Sequence, residues 1–163
     1  MNKNKLYNVI FPIWLLVLYP VHLLFVLPAN FLIDYLILRL GAKHLKLVEY
    51  KQVAKKAIMK TWLLGFLADI IGGLILFLFN FFAEFGWYDF VNAMMYNPLS
   101  RLDAFFFVAL CVLLTAGLIY IFNLKYSFSR LDFELEKKKR LALYLAVFTA
   151  PYLFLLPTMW FVI

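Results

Sequence analysis

Asp69 is a carboxylate in the middle of an apolar stretch, with Gly65 one helical turn before it and Gly73 one turn after it in "GFLADIIGG". A charged Asp near mid-membrane costs about 2.5 to 3.5 kcal/mol on insertion scales, and each Leu, Ile or Phe returns about 0.3 to 0.6. The dozen Leu, Ile and Phe residues between Leu63 and Phe79 are enough to insert such a helix. They do not satisfy the carboxylate, which must be protonated, hydrated or matched by a polar group from another helix. Gly65, Asp69 and Gly73 share one i, i+4 row, and Ala68 and Gly72 form a second small-residue step beside it. A groove of this kind admits a neighbouring helix closely. Two chemistries fit it: a packing seam with a paired Asp, or an ion, proton or ligand site.

Candidate partners lie upstream. If "LPAN" at 27–30 is a tight turn, an antiparallel hairpin brings Asp34 opposite His22 and sets Arg39 about 16 Å below the turn, a depth comparable with Asp69. Two buried pairs are expected on that reading, His22 with Asp34 and Arg39 with Asp69. His22 reads as a hydrogen-bond donor before it reads as a metal ligand, and no metal site is expected. No His-Glu-x-x-His, Gly-x-Ser-x-Gly, phosphate-cradling glycine loop or paired-cysteine motif occurs, so no catalytic residues or cofactor are assigned.

The elements that must position these groups follow from composition. Hydrophobic residues make up 66% of the 163 and charged residues only 15%, too little polar surface for an aqueous fold. An all-α polytopic membrane bundle is expected, with five spans at about 6–27, 30–46, 61–82, 104–124 and 141–163. The alternative is four, with the first helix long and broken at a proline. The hairpin is favoured because it gathers every Lys and Arg except Arg101 on one side, the cytoplasmic pattern. The N-terminus then lies in the cytoplasm of a cell whose plasma membrane, of bacterial type by composition, holds the protein. The net charge of +7 is spread in short blocks between apolar runs, which argues against nucleic acid. Cys111 sits in an apolar run as packing.

Shorter segments carry their own patterns. Trp87, Phe90, Val91, Met94 and Met95 make one apolar face of a helix lying on the outer leaflet. Ser100 with Asp103 reads as a capping box for the next span. Residues 47–62 place Leu47, Tyr50, Ala54, Ala57 and Ile58 on one face, opposed by Lys51, Lys55, Lys56 and Lys60, same-sign neighbours that anionic headgroups would relieve. Residues 125–140 read as an extension of the last helix, with Glu134–Lys138 and Glu136–Arg140 pairs and a Ser129/Asp132 cap, or as a short strand through Leu131, Phe133 and Leu135. His44 is expected to face headgroups, and Asn30 and Asn123 to cap or anchor span ends. Ala142, Ala146 and Ala150 form a further contact stripe, and Pro151 should kink its helix.

The leading functional expectation is a non-enzymatic subunit or homo-oligomer that acts through these seams and its basic loops on partner proteins or anionic lipids. The alternative is a small transporter or channel for a proton, cation or small polar solute using Asp69, Asp34, His22 and Arg39. An intramembrane enzyme ranks third.

Overall fold

Long apolar runs separated by short polar segments fold as five α-helices: α1 (Pro20–His44), α2 (Tyr50–Phe79), α3 (Tyr88–Tyr96), α4 (Leu102–Phe122) and α5 (Leu135–Phe148). The computed structural model describes the backbone of residues 20–160 and their side chains other than those at 20–23, 25, 26 and 159. The described residues contain no strand.

The expected turn at 27–30 does not form. Leu27, Pro28, Ala29 and Asn30 are all helical, inside a single α1 of 25 residues that rises about 37 Å. A proline inside a helix removes one hydrogen bond and crowds the preceding turn. Its neighbourhood is braced here by α2: the Trp62 indole donates to the Leu27 carbonyl at 3.0 Å, and its ring meets Phe31 edge-on at 5.8 Å. The span expected at 30–46 therefore lies within α1. Most of that expected at 6–27 falls outside the described residues.

α1 ends on a tight reversal. Leu47 N–H donates to the Ala42 carbonyl (3.1 Å) and Lys46 N–H to that of Lys43 (3.0 Å), while Leu47 and Ala42 share one buried cluster. This double bond pattern needs a left-handed residue, and Lys46 supplies it at φ 52°. Glycine holds that conformation without the Cβ strain. Lys46→Gly should therefore raise stability by about 0.5–1 kcal/mol, read as a higher Tm in detergent, whereas Lys46→Ala should give no gain.

α2 begins eleven residues before the expected span, because the lysine-flanked face of residues 47–62 is continuous with it. Ala54, Ala57 and Ile58 are buried and Lys51, Lys55, Lys56 and Lys60 are exposed, as their spacing predicts. A 3-10 turn carries α2 on to Phe85, and a π-turn carries α4 to Ser127. Two helices, Tyr50–Phe85 and Leu102–Ser127, are long and apolar enough to cross a membrane. Only 22% and 28% of their most apolar windows are buried, whereas the core helix of an aqueous fold would be mostly covered.

Two apolar clusters bind the helices. At the end where the basic residues gather, Leu38 and Ala42 of α1 meet Ala57 of α2, Phe128, and Leu141 and Leu145 of α5. At the other end, Leu76 of α2 and Val108 and Val112 of α4 enclose Val91, Met94 and Met95 of α3. The apolar face of α3 is thus taken up by protein, and Trp87 stays exposed.

Several local expectations are corrected. Ser100 does not cap α4, since its hydroxyl donates to the Asn97 carbonyl (2.7 Å). Asp103 instead accepts from Ala104 N–H (2.9 Å) and from Arg101 at 3.0 and 2.7 Å. Asn123 is wholly buried and donates to the Ile119 carbonyl at 2.9 Å, so it is a core residue. Residues 128–134 form neither helix nor strand, because Phe128 anchors the loop while Leu131 and Phe133 tuck inward between exposed neighbours. Glu134 pairs with Lys137 (3.2 Å) and not Lys138, which sits over the Phe133 ring; Glu136 reaches Arg140 at 4.0 Å. Ser129 does not cap α5 and donates to the Tyr126 carbonyl.

The continuous helix expected over 141–163 is also corrected. α5 stops at Phe148, and residues 149–160 continue as turns and two short 3-10 segments around Pro151 and Pro157. The Ala142, Ala146 and Ala150 stripe is buried as expected. Proline 151 has no N–H for the Val147 carbonyl, and the Tyr152 hydroxyl donates to that carbonyl instead at 2.7 Å. Phe154 and Thr158 anchor the irregular stretch in the bundle, Thr158 donating to the Met95 carbonyl of α3. Tyr152→Phe should destabilise by about 1 kcal/mol, measured by thermal unfolding in detergent. Tyr126→Phe, whose hydroxyl makes no hydrogen bond among the described residues, is the control.

Candidate functional site

The site grows from the glycine row on α2. Gly65 leaves space that α1 fills with Asp34: a Cβ at Gly65 would lie 3.7 Å from Asp34 Oδ2. Asp34 is only 6% exposed. Asp69 lies one turn further along the same row. Asp69 Oδ1 is buried and has no hydrogen-bond partner among the described residues. The seam thus holds Asp34 at Gly65 and Asp69 one turn further along, with no ion-paired cation among the described residues.

The groove at Gly65 does admit a polar group from a neighbouring helix, but that group is an acid. Arg39 is exposed and forms no ion pair among the described residues, Asp69 included, so the expected Arg39–Asp69 contact is absent. The reason is angular: at 100° per residue, five residues on from Asp34 turn the side chain about 140° around α1, away from the seam. The expected His22–Asp34 pair required the hairpin. In a continuous α1 the two positions are separated by a rise of about 18 Å, and the His22 side chain lies outside the described residues.

The second small-residue step serves another helix. Ala68 is wholly buried, Gly72 and Gly73 are buried too, and a Cβ at Gly72 would overlap Thr115 Oγ1 of α4. Thr115 is itself fully buried and donates to the Cys111 carbonyl at 2.9 Å. Gly41 makes the matching close approach of α1 to α5, where a Cβ would fall 2.8 Å from Leu141. Lys51, Lys55, Lys56 and Lys60 stand apart from this seam on the exposed side of α2.

Further buried polar groups, not assigned to this site from the sequence, lie on α2 and on the turn that packs against it. Thr61 precedes Gly65 by one turn and Asp69 by two, is 1% exposed, and leaves its Oγ1 without a partner among the described residues. Asn123 Oδ1 and Ser127 Oγ, in the turn that packs against α2, are buried and unpartnered in the same way. Thr61 could have been found from its i−8 relation to Asp69. Thr61 on α2 and Asn123 and Ser127 on a turn that contacts α2 thus add buried oxygen atoms short of donors, which can take up a proton, a water or a small cation.

No protein-family model, no curated protein and no solved structure matches this chain.

Proposed function

We propose that this chain is a multi-pass membrane protein that takes up a proton or small cation at Asp34 and Asp69. The observation that carries the reading is a buried Asp34 seated at Gly65, one turn from Asp69 on the same face of α2, with Asp69 Oδ1 left unpartnered among the described residues. Acids inside a bilayer are costly and persist where a pathway or relay uses them. Two of them facing across one seam repel when both are ionised, and a proton or cation between them removes that repulsion. Thr61, one turn before Gly65 on the same row, is buried with its Oγ1 unpartnered among the described residues and would extend the ion's path toward the basic end.

In this proposal α1, α2 and α4 cross the bilayer, and α5 with its irregular continuation makes a fourth crossing. Irregular backbone at membrane depth is tolerated where protein covers it, and Ala150, Phe154 and Thr158 are covered. The end bearing Arg39, Lys43, Lys46, the α2 lysines, Lys125, Arg130 and Lys137–Arg140 faces the cytoplasm of a plasma membrane. The expected cytoplasmic N-terminus belongs to residues outside the described range. A subunit or homo-oligomer would have used the small-residue seams for docking, but Asp34 and Thr115 fill them from within the chain.

Proteoliposomes test the proposal. Protein reconstituted into vesicles with an imposed proton, sodium or potassium gradient should dissipate at least one of them. Asp34→Asn and Asp69→Asn should each abolish that flux while Lys51→Gln leaves it intact. Flux unchanged in both Asn variants, or absent from the unmodified protein under every gradient, would overturn it.

A further inference from the structure

A second site lies on the lipid-facing side of the bundle, away from the carboxylate seam. Between α4 and α5 runs an open groove of about 540 Å³. Leu113 and Gly117 form its α4 side and Leu143 and Val147 its α5 side, with Glu136, Lys139 and Arg140 at the basic end. Gly117 opens directly onto it, since a Cβ placed there would meet nothing within 4 Å. At the groove mouth Glu136 sits between two cations, 3.7 Å from Lys139 and 4.0 Å from Arg140. The three side chains sum to one positive charge and remain largely exposed.

We propose that this groove binds one anionic phospholipid, its phosphate held by Arg140 and Lys139 and one acyl chain laid along Gly117 and Leu113. The inference needs α4 to span the bilayer and goes beyond the cation site, with which it shares no residue. Charge complementarity sets the head: a singly negative phosphodiester matches the net charge of the trio, and the guanidinium offers paired donors to phosphate oxygens. Length sets the tail, because Tyr120 to Leu113 rises about 10 Å, inside the roughly 15 Å of one leaflet's hydrocarbon. A soluble anion would use the cations and leave the apolar trough empty. A lipid uses both.

The test is lipid retention by the full chain, read by native mass spectrometry after extraction from vesicles of equal phosphatidylglycerol and phosphatidylcholine. The unmodified protein should retain one phosphatidylglycerol in preference to phosphatidylcholine. Each basic residue at a membrane surface is worth about fivefold in binding, so Lys139→Gln with Arg140→Gln should weaken retention about 25-fold. Lys125→Gln with Arg130→Gln, the same loss of charge elsewhere at the basic end, should leave it unchanged. Gly117→Leu fills the trough without touching the charges and should release the lipid; its side chain enters open space, so the fold is kept. Equal retention of both lipids, equal loss from the two charge variants, or undisturbed retention in Gly117→Leu would each overturn the proposal. Inorganic phosphate that competes as well as a short-chain phosphatidylglycerol would do so too.

Discussion

Asp69→Asn and Asp34→Asn are each expected to make the bundle more stable, by about 1–2 kcal/mol in detergent or bicelles. A carboxylate retained for packing would show the opposite sign, because removing one member of a satisfied pair leaves the other stranded. Here neither acid has a basic mate and Asp69 Oδ1 has no donor among the described residues. An amide at either position neutralises one charge and brings an N–H to face the remaining oxygen atoms. Sites kept for function routinely hold such unfavourable arrangements, and relieving them raises stability while activity falls. Equilibrium unfolding of the two variants checks this directly. A loss of stability in both would place the acids among the structural contacts.

Gly72 carries the second large effect. Its α-carbon packs where Thr115 Oγ1 occupies the space of a Cβ, so Gly72→Leu must push α2 away from α4 and loosen the cluster of Leu76, Val108, Cys111 and Val112. Overpacking of this kind should cost roughly 3 kcal/mol or more. Gly72→Ala should cost about 1–3 kcal/mol by the same clash. That clash is specific enough to be reversed. With Thr115→Ala as well, the nearest atoms to the new methyl become the residue-115 Cβ at 3.4 Å and a Phe154 ring carbon at 3.6 Å, both ordinary contacts. The double variant should therefore be more stable than the sum of the two singles by at least about 1 kcal/mol. Strict additivity would mean that the two helices do not touch at this level.

The sequence states some of this plainly. α2 and α4 are legible because apolar runs of this length leave few alternatives, and the alternation of lysines with Ala54, Ala57 and Ile58 already shows which side of α2 is buried. The Ala142, Ala146 and Ala150 stripe is legible for the same reason. Proline is where local reading fails. Pro28 suggests a turn and sits in a helix, braced by Trp62 from α2, while Pro151 suggests a kink and ends its helix outright. The difference lies in which tertiary partner reaches the freed or neighbouring carbonyl, and spacing along one helix carries no information about that. The site divides similarly. The i, i+4 row of Gly65 and Asp69 predicts that something polar comes close. It cannot name the visitor, because that depends on how α1 is rotated, and the rotation inferred for Arg39 came from a turn that the chain does not make.

The account rests on Asp34 facing Gly65 within the bilayer, and cysteine crosslinking in native membranes measures that most directly. In a Cys111→Ala background, Asp34→Cys with Gly65→Cys should form a disulfide within one chain on mild oxidation. Neither thiol should react with a membrane-impermeant reagent beforehand. Arg39→Cys with Gly65→Cys should not crosslink. Ready labelling of both positions from the aqueous side, or crosslinking through position 39 in place of 34, would contradict the account.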